Sequence, residues 1–271
     1  MFSILFVLIS RTPLFLLKAI SFILYTIATY KNVSHLKITE KNINHCFGEN
    51  KELVKKSFRE TIELALIFPF VWGKKDNYKK LVDPDYLKFK PLDNGRPKIF
   101  FTLHMGCVDI LIFVLSELLE QANFLYTPVK NKKLDQKLLD IRQRQGGSMF
   151  PATPNGVKNL YKSFIDKSNI VIASDLVPHK RGVYEKFFNK ECFCIDLVEK
   201  LSSKETHDLH FIYLTRGKKN KYKLVCKKIG NKITTLEMNK LFEEAILTAP
   251  ELYYWEYKKF KKQRNASSSI Y

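Results

Sequence analysis

A histidine and an aspartate stand five residues apart in the segment His104-Met-Gly-Cys-Val-Asp109. A histidine that removes a proton from a hydroxyl group becomes cationic, and a nearby carboxylate can orient its ring and stabilise that cation. His104 and Asp109 are therefore candidates for a general base and its orienting acid. The spacing alone is a weak signal, because His35 and Glu40 form a second pair of the same kind. That pair lies in a polar connector without an apolar strand before it, so we regard it as incidental.

The surroundings of His104 favour the first pair. Residues 99–103 form a short apolar, aromatic run typical of a buried strand, and residues 108–120 form an apolar run long enough for a helix. His104 is thus predicted at a strand-to-helix turn, at the sheet edge where open α/β folds bind ligands. Positions five apart on one helix point about 140° apart, so the pair meets only if Asp109 points back toward the turn. Gly106 lacks a Cβ and is predicted to let a substrate approach the backbone.

From residue 98 onward, short apolar runs alternate with longer amphipathic runs. This alternation predicts an α/β fold with a mostly parallel central sheet flanked by helices. We predict strands over residues 99–103, 123–126, 170–173, 211–214 and 222–226. We predict the intervening helices over residues 108–120, 134–143, 156–167 and 195–201.

The first 30 residues are almost entirely apolar and predict a membrane anchor. Arg11 and Lys18 divide the apolar length, so a spanning helix and a helix lying in the interface are both open, with a core helix as the alternative. No basic region precedes the apolar run, which disfavours a cleaved signal peptide. Three lysines that follow the run favour a cytoplasmic location for the next domain: Lys31, Lys37 and Lys41.

We expect four segments along the chain. They are the anchor (1–30), a helical segment with a connector (31–97), the α/β core (98–264) and a flexible tail (265–271). In the second segment, residues 49–72 have the spacing of an amphipathic helix. The aromatic end of that helix suits core packing and membrane contact equally well.

The charge of the chain points to an anionic partner. The sequence has 46 Lys and Arg against 27 Asp and Glu, a net charge of +19 over 271 residues. An anionic membrane with its phosphorylated lipids is favoured over nucleic acid, because no zinc-finger spacing or RNA-binding aromatic signature is present. The five cysteines form no CxxC pair or disulfide framework, which suits reduced thiols facing the cytosol.

Several short segments occur in an order that is more specific than any one of them. They are Lys41-Asn42-Ile43, the His104–Asp109 box, Tyr126-Thr-Pro-Val-Lys130-Asn131, Asp140-Ile-Arg142 before Gly146-Gly147, Ile172-Ala-Ser-Asp175, Arg181-Gly182-Val183, Phe187-Phe188 and Pro250-Glu-Leu-Tyr253-Tyr254-Trp255 with Phe260-Lys261. In these segments the chain resembles the bacterial lipid A biosynthesis acyltransferases, the late lauroyl and myristoyl transferases of the lysophospholipid acyltransferase superfamily. It departs from the family at Asp109, where many members have Glu, and at Asn189, where glycine is usual.

The resemblance implies a glycerol-phosphate-acyltransferase-like fold and an acyl transfer reaction. His104 would deprotonate an acceptor hydroxyl, which attacks the thioester of an acyl carrier, with Asp109 orienting the imidazole. Arg142 matches the family's arginine after the box and would bind a phosphate or carbonyl oxygen, although the same residue on a basic helix can simply be solvated. Lys130 and Arg181 are phosphate-binding candidates that otherwise belong to a basic surface. A substrate-binding role for Asp175 stands beside that of a helix cap or turn residue.

The implied partners are an acyl carrier protein or coenzyme A thioester, an anionic glycolipid acceptor and the inner membrane, with the catalytic domain facing the cytoplasm. No nucleic acid, cofactor or metal is expected. An acyltransferase for a lysophospholipid or another amphiphile is the alternative within the same chemistry. A catalytically inactive membrane-binding protein is the alternative from another class, and the intact His104 and Asp109 pair disfavours it.

Overall fold

A six-stranded sheet forms the centre of the computed structural model, which describes residues 2–92, 95–264 and 270–271. Its strands, numbered along the chain, are β1 (Lys98–Thr102), β2 (Asn123–Tyr126), β3 (Ser148–Pro151), β4 (Ile170–Ala173), β7 (Asp208–Arg216) and β8 (Tyr222–Gly230). The strand order is β3-β2-β4-β1-β7-β8. All neighbours run parallel except β7 and β8, which are antiparallel. A separate antiparallel hairpin joins β5 (Val183–Phe187) and β6 (Lys190–Cys194).

The helices cover the sheet and account for its apolar strands. All five residues of β1 are buried, as expected of a parallel strand with helices on both faces. The helices are α1 (Phe2–Arg11), α2 (Leu14–Tyr30), α3 (Ser34–Phe47), α4 (Lys51–Gly73), α5 (Val108–Leu118), α6 (Lys132–Gln143), α7 (Pro154–Ile165), α8 (Leu197–Ser202) and α9 (Thr235–Thr248). Short 3-10 helices cover Asn77–Lys80, Pro84–Leu92, Lys218–Asn220 and Pro250–Leu252.

The predicted α/β architecture with a mostly parallel sheet is confirmed. Strands β2 and β4 have the predicted bounds, and each predicted helix is found with its ends within two residues. Strands β3, β5 and β6 and helix α9 were not predicted. The connector assigned around His35 is wrong at that position, because residues 34–47 form α3. A capping box at Thr234 and Glu237 begins α9, a signal that was available in the sequence.

Helices α1 and α2 pack against α4 and leave one face uncovered. In the described part of the chain, no single helix has the length and apolarity needed to cross a membrane. Taken together, α2 and α3 meet that requirement by length and composition, but they bend by 82° at the break between them. The anchor and the four segment boundaries therefore stay predictions. Residues 265–269 of the predicted tail lie outside the described residues.

Candidate active site

The strand register brings His104 and Asp175 to the same level of the sheet. β1 and β4 are parallel neighbours, and Thr102 pairs with Ala173. His104 follows Thr102 by two residues, and Asp175 follows Ala173 by two residues. Both side chains therefore lie at the carboxyl edge of the sheet, although 71 residues separate them in the chain.

The carboxylate of Asp175 holds the imidazole of His104 by two contacts. Nδ1 of His104 lies 2.7 Å from Oδ1 of Asp175, and the backbone N–H of His104 donates to Oδ2 at 3.0 Å. Because a carboxylate at Nδ1 fixes the proton there, Nε2 of the neutral ring carries the lone pair. No described residue forms a hydrogen bond with Nε2, and the His104 side chain is 24% exposed whereas that of Asp175 is 1% exposed. The ring is thus oriented and has its basic nitrogen unoccupied.

The charges around the pair favour an imidazolium facing a carboxylate. Burial lowers the pKa of His104, but the charge of Asp175 and its hydrogen bond outweigh burial, so this pKa lies above its usual value. Among weaker influences, Arg142 lowers the His104 pKa and Asp109 raises it. Burial raises the pKa of Asp175, but His104 and the charge of Lys259 more than offset it, so this pKa is lowered. The cation formed when His104 takes a proton is therefore stabilised mainly by Asp175.

Asp109 has different partners from those predicted. Its carboxylate accepts hydrogen bonds from Arg142, with Nε 2.8 Å from Oδ1 and Nη2 3.4 Å from Oδ2. The indole Nε1 of Trp72 donates to Oδ2 at 2.5 Å. The predicted contact with the imidazole is replaced by the Asp175 contact, because Asp109 lies in the first turn of α5 and its carboxylate contacts Trp72 of α4 and Arg142 of α6. Asp109 acts on His104 through its charge and not through a hydrogen bond.

Arg144 fixes the end of α4 that carries Trp72. Its guanidinium donates to the carbonyl oxygens of Trp72 at 2.6 Å, Val71 at 2.8 Å and Lys74 at 3.0 Å. Val71 and Trp72 belong to the last turn of α4, whose carbonyl groups have no partner inside the helix, and Lys74 is the C-cap. The chain from 142 to 144 thus supplies one arginine to Asp109 and another to the helix that positions Trp72. Neither Trp72 nor Arg144 was predicted, because the sequence does not reveal which helix packs beside α5.

Gly106 has a packing role that differs from the one predicted. Its φ of +65° lies in the left-handed region, and a Cβ there would stand 2.7 Å from the ring of Tyr222. Its N–H donates to the carbonyl oxygen of Leu252 at 2.8 Å. The space beside Gly106 is therefore filled by protein. Contact of this glycine with a substrate stays a prediction.

The remaining predicted residues lie on one helix and in two loops. Arg142 is on α6, Lys130 is exposed in the loop after β2, and Arg181 is exposed beyond β4. Their roles in phosphate binding stay predictions. Burial raises the pKa of the neighbouring Cys107 thiol well above its usual value, which leaves it protonated and unsuited to attack a thioester. In the described ranges, no group of three or more His, Cys, Asp or Glu side chains is arranged to hold a metal ion.

Comparison with known proteins identifies a family for the chain. No curated protein matches the sequence. The family model described as bacterial lipid A biosynthesis acyltransferase matches residues 1–262 of the chain. That match includes the His104 turn, the Asp175 strand end, α6 with Arg142 and the segment that follows α9. The chain belongs to the bacterial lipid A biosynthesis acyltransferase family.

Proposed function

We propose that this acyltransferase moves a fatty acyl chain from an acyl thioester to a hydroxyl group of a phosphorylated lipid A precursor, with His104 as the general base. Nε2 of His104 takes the proton of the hydroxyl as its oxygen attacks the thioester carbonyl. The tetrahedral intermediate then expels the thiolate, which receives the proton from the imidazolium. An ester and a free thiol result, and the acceptor itself is the nucleophile.

The hydrogen bond between His104 and Asp175 is the observation that carries this proposal. A base of this kind needs one ring nitrogen fixed by a carboxylate and the other one available for the substrate. The 2.7 Å contact at Nδ1 and the unoccupied Nε2 meet both conditions. Asp175 is thus proposed as the orienting carboxylate in place of Asp109.

Arg142 is proposed to bind an oxygen of the substrate. Its Nε and Nη2 are held by Asp109, and no described residue forms a hydrogen bond with its Nη1. The side chain is 19% exposed, and its charge influences the pKa of His104. An anchored guanidinium beside the base is suited to a phosphate or a thioester carbonyl oxygen, because its geometry is fixed before the substrate arrives. Lys130 and Arg181 are proposed to add charge for the acceptor's phosphates.

The uncovered face of α1 and α2 is proposed to lie in the inner membrane, with the catalytic domain on the cytoplasmic side. Leu17 and Ser21 are buried, whereas many large apolar side chains of α1 and α2 are exposed. The exposed residues are Val7, Leu8, Phe15, Leu16, Ile20, Phe22, Ile23, Leu24, Ile27 and Tyr30. A concentration of exposed apolar side chains on a strongly basic protein suits insertion into the interface of an anionic bilayer. Such a placement would bring the acyl chains of both substrates to the enzyme.

Reconstitution tests the proposed reaction. The purified full-length protein would be incubated with an under-acylated lipid A precursor in mixed micelles and either an acyl carrier protein thioester or the coenzyme A thioester of the same chain. Mass spectrometry should detect the precursor with one additional ester-linked acyl group. The faster donor would identify the acyl carrier.

A lysophospholipid offered at the same concentration is the control acceptor. Acylation of the lysophospholipid alone would favour the alternative within the same chemistry. If neither acceptor is acylated while the protein still binds vesicles, the reading as an inactive membrane-binding protein would replace the proposal.

A further inference from the structure

Lys259 is a buried lysine directly behind the His104 and Asp175 pair. It is 2% exposed and lies in the segment that follows the 3-10 helix Pro250–Leu252. Removing an ammonium group from water costs several kcal/mol unless the protein compensates the charge. Burial lowers the pKa of Lys259, but electrostatic interactions with Cys192, Cys194 and Asp175 outweigh it, so the pKa is raised. The side chain is therefore held as a cation.

The ammonium of Lys259 contacts the residue that orients the base. Its Nζ donates to the main-chain oxygen of Asp175 at 2.5 Å. On its other side, Nζ lies 5.0 Å from the centroid of the Phe187 ring, within the range of a cation–π contact. Its charge also lowers the pKa of Asp175. Lys259 thus acts on both the backbone and the carboxylate of Asp175.

The segment that carries Lys259 forms hydrogen bonds with both the His104 turn and the loop after β4. It is paired with the His104 turn, because the N–H of Tyr254 donates to the oxygen of His104 at 3.0 Å and the N–H of Gly106 donates to Leu252. It is also paired with the loop after β4. The N–H of Val177 donates to the hydroxyl oxygen of Tyr257 at 3.0 Å. The distance between base and carboxylate therefore depends on this C-terminal segment.

We propose that Lys259 is a positioning residue, whose buried ammonium fixes the main chain and the charge of Asp175 and, through Asp175, the orientation of His104. This role rests on the proposed function of His104 as the general base. The positioning role explains why a charged ammonium occupies the buried position of Lys259, where an apolar side chain of similar length would pack at least as well.

The direction in which loss of Lys259 shifts the pH profile follows from the charged groups around Lys259 and His104. The ammonium of Lys259 faces Asp175 after β4, Cys192 and Cys194 on β6, Cys46 on α3 and Tyr257 on its own segment. The imidazole of His104 faces Asp175, Arg142, Asp109 and Tyr254. Loss of the Lys259 cation makes the His104 and Asp175 pair more negative as a whole. The pair then binds a proton more readily. Because protonated His104 cannot act as a base, the acid limb of the pH profile, where activity falls with decreasing pH, moves to higher pH.

Lys98 provides a matched control for Lys259. It is also 2% exposed, and its Nζ likewise donates to a main-chain oxygen, that of Arg96, at 2.6 Å. It begins β1 and therefore lies at the amino edge of the sheet, opposite the site. Lys98→Met and Lys259→Met remove the same group from equally buried positions. Only the second variant removes it from the side of Asp175.

The experiment measures kcat and KM against pH for the full-length wild type, Lys259→Met and Lys98→Met, with thermal unfolding of each. For Lys259→Met we expect kcat to fall about 10- to 100-fold with little change in KM and the acid limb to rise by about 0.5 to 1 pH unit. Lys98→Met should keep the wild-type limb. Lys259→Gln, which retains a donor but no charge, should move the limb in the same direction and supplies a second variant if methionine prevents folding.

Equal profiles for Lys259→Met and Lys98→Met, with an active wild type, would overturn the positioning role and leave the proposed function intact. A loss of kcat in Lys259→Met without any movement of the acid limb would also overturn it, because a merely structural defect has that signature. An inactive wild type would instead reject the proposed function itself.

Discussion

Nε of Arg142 lies 2.8 Å from Oδ1 of Asp109, so two residues of α5 and α6 form an ion pair whose carboxylate is completely buried. Trp72 of α4 donates to the second carboxylate oxygen. Three helices are therefore joined at one side chain, and each oxygen of Asp109 has a donor. Removing the carboxylate leaves a cation and an indole N–H without their acceptor.

Asp109→Ala should lower the free energy of unfolding by about 3 kcal/mol, near the lower end for a broken buried pair because Arg142 retains some contact with solvent. Denaturant unfolding measures it. Asp140→Ala is the control, since Asp140 is exposed on α6 and should change stability by no more than about 0.5 kcal/mol. Equal effects of the two substitutions would contradict a structural role for Asp109.

Arg142→Lys should lower kcat/KM by about one to two orders of magnitude, since an ammonium cannot bind Asp109 and a substrate oxygen with a fixed fork. Steady-state kinetics on the reconstituted reaction measures this loss. Lys137→Ala, on the exposed face of the same helix, gives the baseline for removing one cation from a basic surface. If Arg142→Lys lowers kcat/KM no more than Lys137→Ala does, Arg142 has no part in binding substrate.

The sequence predicted the turn that carries His104 and most of the sheet, because those features depend on residues close together in the chain. The partner of His104 depends on strand order. Once β1 and β4 are neighbours, the register of Thr102 with Ala173 brings Asp175 beside the imidazole. The five-residue spacing favoured Asp109, since a local pattern cannot reveal a contact across 71 residues.

Residues that position the site were harder to predict for the same reason. Trp72 lies in the last turn of α4. The apolar, aromatic character of that turn is equally typical of core packing and of membrane contact, so it does not indicate a role in the site. Lys259 stands in a run of lysines, and nothing in that run distinguishes the buried lysine from its exposed neighbour Lys258. The hairpin of β5 and β6 is not predicted from the sequence, although Phe187 and Phe188 at its turn are among the segments that carry the resemblance.

Exposed apolar side chains of α2 should determine membrane binding. Phe22→Ser with Ile23→Ser removes two residues that are 55% and 58% exposed. Because burying each side chain in lipid is worth about 1.5–3 kcal/mol, loss of both should weaken binding to anionic vesicles in high salt by about a hundredfold or more. Leu247→Ser on α9, where Leu247 is 61% exposed, is the control. Equal losses in the two proteins would argue against insertion of α2.

His104→Ala should lower kcat by about two to four orders of magnitude, the range that general bases contribute. Its control is His35→Ala, because His35 is exposed on α3 and belongs to the second pair of the same spacing. Turnover by His35→Ala should match the wild type. Greater sensitivity at His35 would show that the wrong histidine was assigned as the base.

The pH dependence of kcat/KM in Asp175→Asn and Asp109→Asn tests most directly whether Asp175 orients the base. In the wild type the acid limb should lie above pH 6.5, the ordinary pKa of histidine, because Asp175 raises the pKa of His104 against the effect of burial. Asp175→Asn removes the larger of the two carboxylate effects, so its limb should move to lower pH and kcat should fall as the ring loses its fixed tautomer. Asp109→Asn, measured well below its unfolding temperature, should move the limb in the same direction by a smaller amount. A larger shift in Asp109→Asn than in Asp175→Asn would contradict the assignment and return the orienting role to Asp109.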